Sequence, residues 1–180
     1  MEEWNQERAE RRDLETMRRI AQDALEFGDD DRAFDRYAVE HMLTVNEIVY
    51  YLNAYEYGQE EGLQAIRTPD IIPPNTARQA IKTIAEALER YFEGRLSYRL
   101  TDEGTAIGLY QIQQRWQTAE KYLFPIAQFR LTVDSNHWHL YWMRQFDAWW
   151  PYSPPQKGRK FTLKARARQV IEDEHGCFWG

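Results

Sequence analysis

The chain has 180 residues, 43% hydrophobic and 29% charged, a composition that permits a folded core and excludes wholesale disorder. It holds no apolar run long enough to span a bilayer and no basic leader followed by an apolar stretch, and its single cysteine, Cys177, has no intramolecular disulfide partner. We therefore expect a soluble cytoplasmic protein that does not engage membranes.

The net charge of −6 is divided unevenly along the chain. Residues 1–95 hold 12 Lys and Arg against 21 Asp and Glu, a balance of −9, whereas residues 96–180 hold 11 against 8, a balance of +3. Nucleic-acid-binding proteins usually carry an overall basic excess. Any such binding by this chain must therefore depend on a local patch.

The N-terminal part has the spacing of amphipathic helices. Apolar residues recur every three or four positions through residues 2–27, which predicts one long helix with a charged opposite face. A short helix is expected over residues 34–41. Thr44 and Glu47 then form a capping box that begins a third helix, and Gly58 ends it.

The segment over residues 37–66 resembles a transposase-type helix-turn-helix unit. Its second helix offers Asn46 and Asn53 but also Glu47 and Glu56, and it has no Arg or Lys. A DNA-reading helix needs Arg, Lys, Asn or Gln directed at base edges. A helical packing module is the more economical interpretation, with DNA reading as the alternative.

The remainder of the chain begins with a helix, which Asn75 is expected to cap, and then changes to a period of two after Gly94. Residues 114–124 are predicted to be a loop, and Thr162 is predicted to cap a closing helix. The expected strands lie around residues 96–100, 107–112, 127–133, 138–144 and 148–152.

These elements predict an α+β fold. An acidic helical region over residues 1–70 precedes an aromatic-rich domain over residues 75–180, in which about four or five antiparallel strands are flanked by helices.

Three motifs in the second part carry a family resemblance. They are Trp-x-Leu-Tyr-Trp-x-Arg over Trp138–Arg144, Trp-x-x-Tyr at Trp149 and Tyr152, and Asp-x-x-Gly-x-Phe-x-Gly over Asp173–Gly180. With these motifs the chain resembles a bacterial domain-of-unknown-function family, number 3024, over roughly residues 75–180. The resemblance implies no activity and supplies no catalytic residue.

Cations and aromatic rings also cluster near the C-terminus, while Trp138 and Trp142 share one strand face and are expected in the sheet core. Cations contact phosphates and rings stack on bases, so the cluster suits nucleic-acid binding. A solvated loop and helix face is the alternative. The candidate nucleic-acid-binding residues are Arg144, Trp149, Trp150, Lys157, Arg159, Lys160, Lys164, Arg166 and Arg168.

A metal site is the weaker possibility. His137 and His139 alternate on one strand, and His175 with Cys177 could complete a set of four zinc ligands. Their spacing is not a recurrent zinc pattern, so we expect two exposed imidazoles, a buried thiol, no metal and no cofactor. The sequence holds no nucleophile motif or phosphate-binding glycine loop either, and no enzymatic activity is predicted.

The sequence thus predicts a non-enzymatic accessory or regulatory protein that engages nucleic acid or a nucleoprotein complex through its basic-aromatic C-terminal face. The alternative is a protein–protein adaptor, or an oligomerising subunit, that acts through the acidic N-terminal helices.

Overall fold

The structure is a computed structural model that describes residues 4–144, 148–152 and 161–179, without the side chain of Asp102. A helical region comes first and a five-stranded antiparallel sheet with two helices follows, which confirms the α+β prediction. No helix in the described part of the chain is both long and apolar enough to cross a membrane.

The described residues form two compact units. Residues 4–68 and 151–152 belong to the first, which is helical, and residues 69–144, 148–150 and 161–179 belong to the second. The helices of the first unit are α1 (Gln6–Glu10), α2 (Leu14–Phe27), α3 (Asp31–Glu40) and α4 (Val45–Arg67).

The prediction of a single long helix over residues 2–27 is wrong, because the helical conformation is interrupted between α1 and α2. The Asp13 carboxylate accepts a hydrogen bond from the Thr16 amide at 2.9 Å and starts α2 afresh. The buried stripe of α2, which includes Met17 and Ile20, then packs against α4. An Asp in the middle of an apolar-periodic stretch was the signal for this break.

The capping box of α4 is confirmed. The Glu47 amide donates to the Thr44 hydroxyl at 3.1 Å, and the Glu47 carboxylate accepts the Thr44 amide at 2.9 Å. The same carboxylate, fully buried, also accepts from Arg8 at 2.9 Å and from Arg12 at 3.3 Å. Arg8 and Arg12, two cations of the charged N-terminal stretch, therefore tie the N-terminal segment to α4.

Helix α4 bends sharply just after Gly58, where the helix end was expected. Gln59 takes φ 53° and ψ −140°, outside the helical region, and the helix resumes after it. The resumed part approaches the first part so closely that a Cβ on Gly62 would lie 2.0 Å from the Ala54 carbonyl oxygen. Only glycine fits at that position.

The second unit is built around one sheet of strand order β1-β2-β3-β4-β5. Its helix α5 begins at Pro74 with no side-chain cap, so the prediction that Asn75 caps it is wrong; Asn75 instead accepts from the Arg78 guanidinium. Thr162 does cap the closing helix α6. The elements are α5 (Pro74–Phe92), β1 (Leu96–Thr101), β2 (Ala106–Gln114), β3 (Lys121–Thr132), β4 (His137–Arg144), β5 (Ala148–Pro151) and α6 (Leu163–Glu172).

One sheet face supplies the core of this unit. Ile107, Phe129 and Leu140 are direct cross-strand neighbours and therefore share a face, and all three are buried. Helix α5 packs on β1, α6 packs on β4, and the two helices pack on each other.

The loop expected over residues 114–124 is also wrong. Strand β2 runs to Gln114 and β3 begins at Lys121, so only a short turn separates them. Strand β1 pairs with β2 only as far as Gln111, and β4 pairs with β3 only as far as Ala127. The end of the β2–β3 hairpin therefore extends beyond both neighbouring strands. We call residues 111–124 the hairpin arm.

Candidate nucleic-acid interface

The cations predicted to contact phosphate have different environments on α6. The Thr162 hydroxyl accepts a hydrogen bond from the Ala165 amide at 3.3 Å and fixes the residue at which α6 begins. The helical period then exposes Lys164 and Arg168, which are one turn apart, and turns Arg166 inward. Lys157, Arg159 and Lys160 lie outside the described residues.

The prediction that Arg166 contacts phosphate is wrong, because its side chain is completely buried. Its Nε donates to the Trp138 carbonyl at 2.6 Å and its Nη1 donates to Gln169 at 3.1 Å. The guanidinium also lies 5.1 Å from the centre of the Phe161 ring. Arg166 therefore fastens α6 to β4 through its hydrogen bonds to the Trp138 carbonyl and to Gln169.

Of the predicted stacking residues, Trp150 is 1% exposed and cannot present its ring to a base. The guanidinium of Arg144, which is exposed, lies 4.4 Å from the centre of that ring. Trp149, the preceding residue, points to the other side of β5 and is half-buried. Arg144 and Trp149 therefore remain accessible, whereas Trp150 is a core residue.

Two of the accessible cations, Lys164 and Arg144, do not share one patch. Arg144 is the last residue of β4, whereas α6 begins beside Trp138 near the start of that strand, where Leu163 and Trp138 line one groove. At about 3.3 Å per residue, the eight residues of β4 separate these two ends by about 23 Å. Lys164 and Arg144 therefore lie near opposite ends of the sheet.

A groove beside Trp138 has a volume of about 370 Å³. Trp138 is 4% exposed and so belongs to the core, as expected, whereas Trp142 is half-buried. The groove is otherwise lined mainly by polar side chains from the first turns of α5. They are Asn75, Thr76, Gln79 and Thr83.

The opposite face of the sheet from Ile107, Phe129 and Leu140 buries the polar side chains of His139 and Arg130. His139 is 5% exposed, and its Nε2 lies 2.9 Å from the Thr132 hydroxyl, so the expectation of an exposed imidazole is wrong. Arg130 is 6% exposed, with its guanidinium 4.3 Å from the centre of the Tyr141 ring. It therefore contributes no surface charge.

The two histidines of β4 share one aromatic neighbour. The Phe161 ring lies 4.5 Å from the His137 ring and 5.9 Å from the His139 ring, while His175 is exposed and Cys177 is half-buried rather than buried. Burial, followed by the Asp173 carboxylate, raises the pKa of the Cys177 thiol. Within the described ranges, no group of three or more His, Cys, Asp or Glu side chains could hold a metal ion.

The C-terminal motif forms a clasp around one carboxylate. Asp173 accepts the Cys177 amide at 2.7 Å and the amides of Phe178 and Trp179 at 3.0 Å each. The Trp179 indole donates to a carbonyl of α6 at 2.7 Å, and its ring stacks on Phe92 at 4.0 Å. The Asp, Gly and Phe of the motif thus serve to fold the chain end back onto the domain.

The hairpin arm carries aromatic side chains that the sequence analysis missed. Trp116 at its tip is 91% exposed, Phe124 is 45% exposed and Tyr122 is 38% exposed. The guanidinium of Arg115 lies 5.9 Å from the centre of the Tyr122 ring, and Lys121 is exposed beside it. The pairing of a cation with an aromatic residue at both ends of the turn was the available signal.

Comparison with family models identifies the second part of the chain. Residues 72–180 match the model of the family described as a domain of unknown function, DUF3024. No curated protein and no solved structure matched the chain. The matched range holds the sheet, both of its helices and the C-terminal clasp. The chain therefore belongs to the DUF3024 family.

Proposed function

We propose that the protein is a non-enzymatic accessory or regulatory protein that engages nucleic acid, or a nucleoprotein complex, through its C-terminal domain. The observation that carries the proposal is the exposure of Lys164 and Arg168, one turn apart on α6, together with that of Arg144 at the other end of β4. In the sequence, three further cations at residues 157–160 directly precede α6.

The separation of Lys164 from Arg144 suits a polymer rather than a small ligand. The length of β4, about 23 Å from the end near Lys164 to the end at Arg144, corresponds to about seven nucleotide steps of 3.4 Å along one strand of a duplex. Each cation that neutralises a phosphate releases counterions, so affinity should fall steeply with salt. The ion pair of Arg168 with Glu172 at 2.6 Å is exposed and weak, and a phosphate can replace the carboxylate.

The test is fluorescence anisotropy with labelled random DNA and RNA at several salt concentrations. We expect the logarithm of the binding constant to fall linearly with the logarithm of the salt concentration. The double substitution Lys164→Glu and Arg168→Glu should make the slope of that line shallower by about two units. The matched control reverses Arg78 and Lys82, two exposed cations on α5. No binding at low salt, or equal losses from both pairs, would refute the proposal.

The adaptor function remains the second candidate because of an apolar surface on the first unit. Val39 and Met42 are 83% and 84% exposed at the end of α3. Isolated exposed apolar residues are common, but two this close favour a protein contact. Light scattering over a range of concentrations, with the Val39→Ser, Met42→Ser variant as the comparison, tests self-association. A pull-down whose complexes survive nuclease tests other partners.

A further inference from the structure

The two strands of the hairpin arm present different chemistry on one face. Gln111 lies directly opposite Phe124, and Gln113 lies directly opposite Tyr122. Cross-strand partners share a face, so a row of two amides runs beside a row of two partly exposed rings. Trp116, almost fully exposed, stands at the tip beyond them.

The turn that carries Trp116 is ordered by its own hydrogen bonds. The Arg115 amide donates to the Glu120 carbonyl at 2.9 Å, and the Ala119 amide donates to the Arg115 carbonyl at 2.9 Å. The Gln114 side chain donates to the Ala119 carbonyl at 3.0 Å. A ring held on such a turn loses little conformational freedom when a ligand stacks on it.

We propose that the hairpin arm binds unpaired bases of a single-stranded nucleic acid, with Trp116 as the principal stacking residue and Tyr122 and Phe124 as further platforms. The inference rests on the proposed function for its ligand class and adds to it the choice of single strands over duplex. Flat base surfaces are accessible to a side chain only where bases are unstacked, whereas phosphates are accessible in both forms.

Charge complementarity favours a nucleic-acid strand as the occupant of the arm. Arg115 and Lys121 flank the exposed rings, and Arg144 lies at the same end of the sheet, just past the pairing of Trp142 with Ala127. The acidic neighbour in the turn, Glu120, lies 4.0 Å from Arg115, so these two charges offset each other and Lys121 and Arg144 supply the net positive charge. Cations beside rings match a polymer that alternates phosphates with bases.

The amide row gives the same ligand a way to hydrogen-bond. The Gln113 side chain donates to that of Gln111 at 2.8 Å and accepts from the Tyr122 hydroxyl. Amide groups at the surface can pair with base edges, which offer both donors and acceptors. A purely apolar partner would gain nothing from this row.

The test compares a labelled twenty-nucleotide oligothymidine strand with a duplex of the same length. Because Trp116 is 91% exposed, Trp116→Ala should leave the fold intact. We expect it to weaken binding of the single strand about tenfold and binding of the duplex less than about twofold. Tyr91→Ala, which removes an aromatic side chain that is 55% exposed on α5, is the matched control and should change neither affinity.

Each outcome is decisive for one of the two proposals. If Trp116→Ala changes neither affinity while Lys164→Glu with Arg168→Glu weakens both, the arm inference fails and the proposed function stands. An equal loss on single strand and duplex also overturns base stacking. If the wild-type protein binds no nucleic acid, both proposals fail. Loss of self-association by Trp116→Ala in light scattering, without any change in binding, would assign the arm to a protein interface instead.

Discussion

Replacing Asp173 by Asn tests whether the C-terminal clasp stabilises the family domain. Asp173 has φ 37°, in the left-handed region, which Asn tolerates about as well as Asp, so the substitution removes charge without adding backbone strain. One carbonyl oxygen can still accept the amides of residues 177 and 178. The amide nitrogen that replaces Oδ2 cannot accept from Trp179, whose amide lies 3.0 Å from Oδ2.

The magnitude follows from these contacts. A hydrogen bond to a charged group contributes about 1.5–3 kcal/mol, and here one bond is lost and two are weakened. Because Asp173 is only half-buried, solvent offsets part of the loss, and we expect Asp173→Asn to cost about 2 kcal/mol of unfolding free energy. Asp173→Ala loses all three bonds and adds left-handed strain, so it should cost about 4 kcal/mol.

The assay is urea unfolding followed by tryptophan fluorescence, with the transition of the sheet domain fitted separately if two transitions appear. Glu174→Ala, which removes an exposed neighbouring carboxylate, is the control and should change the stability by less than about 0.5 kcal/mol. If Asp173→Asn is as stable as that control, the three hydrogen bonds do not hold the chain end, and the reasoning fails.

Three further predictions follow from buried or crowded groups. Glu47→Gln removes the buried carboxylate that pairs with two arginines and should cost about 2 kcal/mol in thermal or urea unfolding; an unchanged midpoint would show that those pairs contribute nothing. Gly62→Ala should lower the free energy of unfolding by about 3 kcal/mol, because the added methyl group meets the Ala54 carbonyl. Wild-type stability would contradict the close approach of the two parts of α4. Cys177 of the folded protein should react with iodoacetamide near pH 8 more slowly than Cys177 of the urea-unfolded chain, because a raised thiol pKa leaves a smaller fraction of thiolate at that pH. Equal rates would contradict the burial to which the raised pKa is attributed.

Several structural features could be predicted from the sequence because they depend on interactions between residues close together in the chain. The capping box at Thr44 and Glu47 and the cap at Thr162 connect residues three apart, so their geometry is nearly complete within one turn. The break after Gly58 and the alternation through Trp138–Arg144 are local in the same sense. The C-terminal motif likewise identified the family correctly.

The predictions of the first helix and of the loop over residues 114–124 were wrong because, in each case, a second pattern in the sequence masked the correct local signal. Asp13 capped a new helix inside an apolar-periodic stretch, because a carboxylate hydrogen bond to the backbone competes with helix continuation. In the hairpin arm, glutamines on β2 concealed the alternation, and only pairing with β3 shows that residues 121–124 form a strand. A strand of mixed polarity is specified by its partner more than by its own sequence.

By itself, the sequence determined the α+β order of the elements, the caps at Thr44 and Thr162 and the family, because these depend on periodicity, caps and motifs that lie within a few residues. The tertiary structure alone decided which face of each element is covered. It buried Arg166 while exposing Lys164 and Arg168 on the same helix, and it buried Trp150 while leaving Trp149 half-exposed on the same strand. Periodicity separates the two faces of an element, but burial depends on residues far along the chain that pack against one of them.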